Sequence, residues 1–356
     1  MLDTLQAAWQ PYILRFKRPG GTSRGILTER KTWFLKLTES GNPERTGIGE
    51  CAPLPGLSCD DRPDFESRLD EVCRGINTSK MDGNAMLQDF PSIRFGLEAA
   101  LRDLENGGKR ILFPSPFVAN GKPISINGLI WMGTPEFMRT QIKEKLASGF
   151  TCLKMKIGAI DFETELNLLR EIRREFSAAE IELRVDANGA FSLNRALEKL
   201  SRLAELEIHS IEQPIAPGQP EQMAELCEKS PLPIALDEEL IGVFAEKEKH
   251  ALLAKIRPGY IVLKPSLVGG FTGAQEWIAT AEKYKIGWWI TSALESNIGL
   301  NAIAQWTATL GNPMTHGLGT GQLYVNNIPS PLTIDSGKLY YKSQSQWDLS
   351  ALGIPS

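Results

Sequence analysis

Histidine is almost missing from this chain. His209, His250 and His316 are the only three in 356 residues, and they stand far apart without an HExxH spacing, which argues against histidine-rich metal chemistry. Cysteine is sparse too. Cys51, Cys59, Cys73, Cys152 and Cys227 form an odd, scattered set with no CxxC pair, so neither a disulfide framework nor a thiolate zinc site is expected. No apolar run approaches the roughly 18 residues of a membrane span. The opening MLDTLQAAWQPYILRFK lacks a basic start, an apolar core and a small-residue cleavage site. Excess charge is lacking as well: a net charge of −4 leaves no basic footprint for nucleic acid or for a membrane surface. With 42% hydrophobic residues the chain has enough for a core. The expectation is a cytoplasmic protein with no nucleic-acid or membrane partner. A homo-oligomer stays open, because no exposed patch can be read without a surface.

The length exceeds the roughly 100 to 200 residues of one ordinary domain, whereas an α/β barrel alone takes about 250. Two units are therefore expected. From Ala8 to Glu50 the pattern is strand-like, with turns at PGGTSRG and GNPER. Two helical stretches follow, from Pro63 to Gly75 and from Pro91 to Gly107. Residues 1–120 thus read as an α+β capping domain. PGGTSRG, with Gly20, Gly21 and Thr22, has the composition of a mobile connection that closes over a ligand. GECAPLPGLS, with Leu54 and Gly56, is too rich in Pro and Gly for a central strand and is the other lid candidate. After Ile124 strand and helix alternate, beginning with SINGLIWMG and ending with a loop HGLGTG placed after an eighth strand. This predicts a (β/α) barrel of the TIM type over residues 121–322, with an open doubly wound sheet as the alternative. Residues 323–356 are expected to return to the capping domain.

Three apolar runs end in a carboxylate, IELRVDANG at Asp186, EIHSIEQP at Glu212 and LPIALDEEL at Asp237. A fourth, YIVLKPS, ends in Lys264. The intervals are 26, 25 and 27 residues, the beat of consecutive βα units. Groups that share a phase in a parallel barrel converge over its C-terminal mouth. An oxygen-only triplet suits a hard cation, Mg²⁺ with Mn²⁺ as the alternative. Asp and Glu are also common as helix caps just after strands, which is the plainer account of any one of them. Lys154 and Lys156, two apart in TCLKMKIG, point to the same side of their strand, and their flanks are apolar. Repulsion between them is expected to lower a lysine pKa and supply a base. A lysine opposite a carboxylate-bound divalent cation can take a proton from the carbon next to a carboxylate. Two other readings use the same groups: a Schiff base on Lys264 of the aldolase type, and a barrel retained as a binding protein.

The order KMK, VDANG, IEQP, LDEE, LKPSLVGG and SALESNIG, after a strand-rich start with GECAPLPG, resembles the enolase superfamily and specifically its muconate-lactonizing-enzyme subgroup. The resemblance spans nearly the whole chain. It implies Lys156 as general base, Lys154 as the residue that tunes it, Lys264 on the opposite face, and Asp186, Glu212 and Asp237 as metal ligands. It further implies supporting positions around metal and substrate for Asn188, Gln213, Glu238, Ser292 and Glu295. Dipeptide epimerases of the subgroup carry an acidic Asp-x-Asp after the eighth strand, and here HGLGTGQLYVNN has no carboxylate. That ending is similar to the o-succinylbenzoate synthase family, which implies a lysine-driven dehydration of a small carboxylate in menaquinone biosynthesis. N-succinylamino-acid racemization and dipeptide epimerization are the alternatives.

Overall fold

A computed structural model describes residues 5–22, 25–78 and 87–354. The chain opens with an antiparallel sheet in the order β1 (Leu5–Thr22), β2 (Gly25–Glu39), β3 (Asn42–Cys51). Strand alternation sends Trp33, Leu35 and Leu37 to one face. There they pack on α1 (Phe65–Asn77) and α2 (Pro91–Glu105) through Phe65, Leu69, Val72, Ile93 and Leu97. Phe34 and Ile48, on the other face, meet Ile328, Leu349 and Leu352 of the C-terminal segment. Glycine permits the approach of β3 to α2. A Cβ on Gly49 would lie 1.7 Å from the Gly96 carbonyl oxygen, and one on Gly47 would lie 2.0 Å from that of Ala100.

After α3 (Pro116–Asn120) and the short β4 (Ile124–Ser125) comes a seven-stranded parallel sheet. Its strands are β5 (Gly128–Ile130), β6 (Cys152–Lys156), β7 (Glu182–Asp186), β8 (Ser210–Glu212), β9 (Ile234–Leu236), β10 (Tyr260–Leu263) and β11 (Gly287–Ile290), each beside its sequence neighbour. The intervening helices are α4 (Pro135–Ala147), α5 (Phe162–Glu175), α6 (Leu193–Ala204), α7 (Pro220–Lys229), α8 (Glu246–Ile256) and α9 (Gly270–Lys283), with α10 (Asn297–Thr309) after β11. Their starts are marked locally. The Thr134 hydroxyl accepts from the Phe137 N–H ahead of α4, Asp161 from Thr164 ahead of α5, and Ser296 from Ile298 ahead of α10.

Two expectations need correction. The eighth strand shrinks to an isolated pair of residues, His316–Gly317. The backbone N–H of His316 donates to Ser125 O at 2.9 Å and that of Gly317 to Ile290 O at 2.8 Å, so these two residues alone bridge β11 and the start of β5. SINGLIWMG, expected as one strand, splits at Ile126–Asn127. The β4 half turns away to pair with β13 (Lys338–Tyr341), itself hairpinned to β12 (Leu332–Asp335). Residues after Leu323 therefore make two kinds of contact. Tyr324, Ile328, Leu349 and Leu352 pack on the first sheet, while the β12–β13 hairpin joins the barrel at β4. Among the described residues no helix is long and apolar enough to cross a membrane.

Candidate active site

Strand register sets the candidate groups level with one another. Lys156 on β6 pairs with Asp186 on β7, which pairs with Glu212 on β8. Asp237 follows the last residue of β9, and Lys264 the last of β10. All five stand at C-terminal strand ends, the catalytic face of this architecture. Lys154, Lys156, Lys264, Asp186, Asn188, Ser292 and Leu54 line one cavity of about 500 Å³, a size suited to a small molecule. Trp131, Phe137, Leu27 and Leu294 add apolar wall, and Asn127 and Thr320 add polar groups.

Burying these charges is tolerable only because they meet one another. The Lys156 ammonium donates to Asp186 Oδ2 at 2.9 Å and to Asn188 Oδ1 at 2.6 Å. Lys154 donates to Glu212 and lies 3.1 Å from Asp186 Oδ2, and Lys264 donates to Asp237 Oδ2 at 2.5 Å. The expected effect of two neighbouring lysines is therefore corrected at Lys154. Burial alone would lower its pKa, but Asp186, Glu212 and Asp237 outweigh burial and raise it. Lys264 follows the same pattern through Asp237 and Glu238. Burial would raise the Asp186 carboxyl, yet Lys154 and Lys156 hold it well below the usual carboxylate range. Glu212 differs: burial first, then the charges of Asp186 and Asp237, push it up to about 7.

Among the described residues no three or more His, Cys, Asp or Glu side chains close tightly enough to hold an ion, because the carboxylates turn to the lysines. The donor set nonetheless fits a hard divalent cation. Three buried carboxylates stand on adjacent strands, and Glu212 Oε1 is buried with no hydrogen-bond partner.

The supporting positions divide. Asn188 donates from Nδ2 to Glu238 Oε1 at 2.9 Å while accepting from Lys156, so it joins Lys156 to the segment just after β9. Gln213 accepts from the Asp237 and Glu239 N–H groups and donates to Glu239, tying β8 to β9 behind the cavity. Both adopt the left-handed backbone region, φ 44° and 39°, uncommon outside glycine and frequent where side chains must be aimed. Ser292 meets the Thr320 hydroxyl at 2.5 Å on the cavity wall. Glu295 is turned away from the cavity, accepting from Ser266 Oγ at 2.5 Å and from the Ala293 N–H at 2.7 Å.

The two segments expected as lids lie at the barrel mouth. β1 runs on through Gly20 and Gly21 to Thr22, and Gly21 bridges Met132 at the barrel mouth. The glycines serve close packing: a Cβ on Gly21 would lie 2.3 Å from Met132 O, and one on Gly20 would lie 3.2 Å from the Trp131 ring. Ser23 and Arg24 lie outside the described residues. Gly25, Ile26 and Leu27, at the start of β2, line the cavity, whereas Gly56 is exposed and off its wall. Sequence reasoning missed Arg30, Glu50, Trp131 and Tyr324. Glu50 is fully buried, accepting from Thr32 Oγ1 at 2.9 Å and, at the start of α10, from the Ser296 and Gly299 N–H groups at 2.9 Å each. Its signal was a carboxylate sharing a strand face with Ile48.

Comparison with known proteins identifies the family. Residues 138–344 match the family described as enolase C-terminal domain-like, and residues 21–104 match the MenC N-terminal domain. The chain is 49% identical to an o-succinylbenzoate synthase of Desulfotalea psychrophila, over 95% of this chain and 99% of that one. It is 28% identical to the L-Ala-D/L-Glu epimerase of Bacillus subtilis, over 83% of this chain and 82% of the other. Among solved structures, MenC from Desulfotalea psychrophila superposes with a TM-score of 0.83 at 44% identity, covering 95% of this chain and 99% of that one. A dipeptide epimerase from Cytophaga hutchinsonii, complexed with Mg and a dipeptide, superposes at 0.80 and 20% identity, over 94% and 93% of the two chains, and shows the shared fold. The chain belongs to the enolase superfamily, with the MenC type of N-terminal domain.

Proposed function

We propose that this enzyme is an o-succinylbenzoate synthase, a lyase that dehydrates 2-succinyl-6-hydroxy-2,4-cyclohexadiene-1-carboxylate to 2-succinylbenzoate. The observation that carries the reading is the end-to-end 49% identity to a synthase of that name, joined to a cavity that exposes Lys156 and Lys264 together.

Lys156 takes the proton from the ring carbon that bears the carboxylate. The C–H electron pair spreads into the carboxylate and then forms the new ring double bond as the 6-hydroxyl departs. The ammonium of Lys156 returns its proton to that hydroxyl, so the leaving group is water and one lysine serves both steps on one face. Lys264, held on Asp237, presents positive charge to the ring and the developing oxyanion. Asn188 fixes the direction of Lys156 Nζ. A divalent cation, Mg²⁺ with Mn²⁺ as the alternative, would be held by Asp186, Glu212 and Asp237 and would supply positive charge at the substrate carboxylate. The wall formed by Leu54, Trp131 and Leu294 keeps water from the reacting carbon.

Racemization of N-succinylamino acids is the second reading, favoured by one observation: Lys156 and Lys264 both line the cavity, and that reaction needs a lysine on each face. Steady-state assays of purified protein with both substrates decide. Dehydration is expected to have the higher kcat/KM, and a racemization efficiency far above it overturns the assignment.

A further inference from the structure

The buried part of the cavity's apolar wall is one small cluster drawn from three separate segments: Leu54 from the loop after β3, Trp131 just after β5, and Leu294 from the loop after β11. Nothing local in any of these segments makes them meet. Leu294 sits in the left-handed backbone region at φ 68°, unfavourable for a residue with a γ-branched side chain. Such a conformation persists only where surrounding contacts determine it.

Those contacts converge on one guanidinium. Arg30, on β2, is 2% exposed. It donates through Nη1 to the carbonyl of Ala293 and through Nη2 to the carbonyl of Ala52. One side chain thereby clasps the residue before Leu294 and the residue two before Leu54. Around it, the Tyr324 hydroxyl donates to Leu294 O at 2.6 Å, and Glu295 Oε2 accepts from the Ala293 N–H at 2.7 Å. Arg30 also shares its strand with Gly25, Ile26 and Leu27 on the cavity wall. A planar fork with fixed donors suits this task, since it can satisfy two carbonyls in one geometry where an ammonium on a flexible stem defines none.

We infer that Arg30 is a positioning residue for substrate recognition: it closes the capping sheet onto the barrel by holding the Leu54 loop and the Ser292–Leu294 segment in one frame. The inference rests on the reading above, in which this cavity takes a succinyl-bearing ring. Arg30 does not itself line the cavity; it acts through the residues that do. Its removal is felt first in binding, because the lysines and carboxylates are carried by β6 to β10 and are not among its partners.

Arg30→Met, Arg30→Lys and Tyr324→Phe are compared with the parent by steady-state dehydration, by calorimetric titration with 2-succinylbenzoate, and by thermal melting. A misplaced wall is expected to raise KM and weaken product affinity by about tenfold or more in Arg30→Met, with kcat within about threefold. Arg30→Lys recovers part of the loss, and Tyr324→Phe shows a smaller change in the same direction. Unchanged KM and product affinity in Arg30→Met, with only a lower melting temperature or a lower kcat, overturn the inference. Should Arg30→Met fail to fold, Tyr324→Phe decides on the same two readouts. Absence of dehydration in the parent refutes the proposed function, whereas the variant-to-parent ratio judges Arg30.

Discussion

At the scale of single residues, the arrangement turns on where each buried charge finds its partner. Lys156 has an acceptor on Asp186 and another on Asn188. Replacing it by alanine removes the only base proposed for the first step, and the dehydration kcat is expected to fall by about 10³-fold or more. Proton–deuterium exchange at the substrate's α-carbon checks the assignment, since exchange that persists in Lys156→Ala would remove it from that role. Glu165 offers a pH-dependent test outside the cavity. Burial pushes its carboxyl up to about 7, against the bond it accepts from the Gly158 N–H, and Oε2 has no hydrogen-bond partner. A carboxyl raised in the fold contributes stability below its unfolded value near 4.5 and loses that contribution as pH climbs through about 7. Glu165→Gln keeps the acceptor for Gly158 and abolishes the ionisation. Its stability is expected to gain on the parent's by about 1.4 kcal/mol between pH 6 and pH 8.5, read as a melting-temperature difference that widens with pH. An advantage that does not change with pH would show that Glu165 titrates normally.

Among elements, the seam between β3 and α2 is the least forgiving. Gly49 faces the Gly96 carbonyl, and Gly96 in turn leaves only 2.3 Å between an added Cβ and Cys51 Sγ. Gly49→Ala must push the helix off the strand. Overpacking of this kind is expected to cost at least about 2 kcal/mol, measured by urea unfolding with an unchanged m-value. The β-ladder also explains why three carboxylates spaced by about one βα unit share a site. Parallel pairing puts Asp186 directly opposite Glu212, and Ala235 opposite Glu212 in turn, so Asp237 stands one inward-pointing position further along β9's direction.

For the whole molecule, the proposed cation site would couple binding to folding. If Asp186, Glu212 and Asp237 hold Mg²⁺, Mg²⁺ raises the melting temperature of the parent, and the rise becomes logarithmic in concentration above the dissociation constant. Asp237→Asn should show little of that shift, and equal shifts in both proteins would remove the metal-site assignment. The capping sheet is held against the barrel by Glu50 at the start of α10, by Arg30 on Ala293, and by the C-terminal segment packed on Phe34. Enclosure of the cavity is thus a property of the full chain and not of the barrel alone.

The barrel, its strand order and the groups at its mouth were legible in the amino-acid order, because βα alternation has a period that places strand ends at regular intervals and parallel pairing leaves little choice of neighbour. Lys154, Lys156, Asp186, Glu212, Asp237 and Lys264 could be named on that ground. Tertiary structure alone decided how they pair. The repulsion expected between Lys154 and Lys156 gives way to attraction from carboxylates on other strands, a long-range Coulomb effect that no local pattern encodes. Local composition did not disclose that Gly20 and Gly21 end a strand packed against Trp131 and Met132. Arg30, Tyr324 and the two-residue closure at His316–Gly317 depend on contacts across hundreds of residues, and those arise only when the sheet and the barrel are brought together.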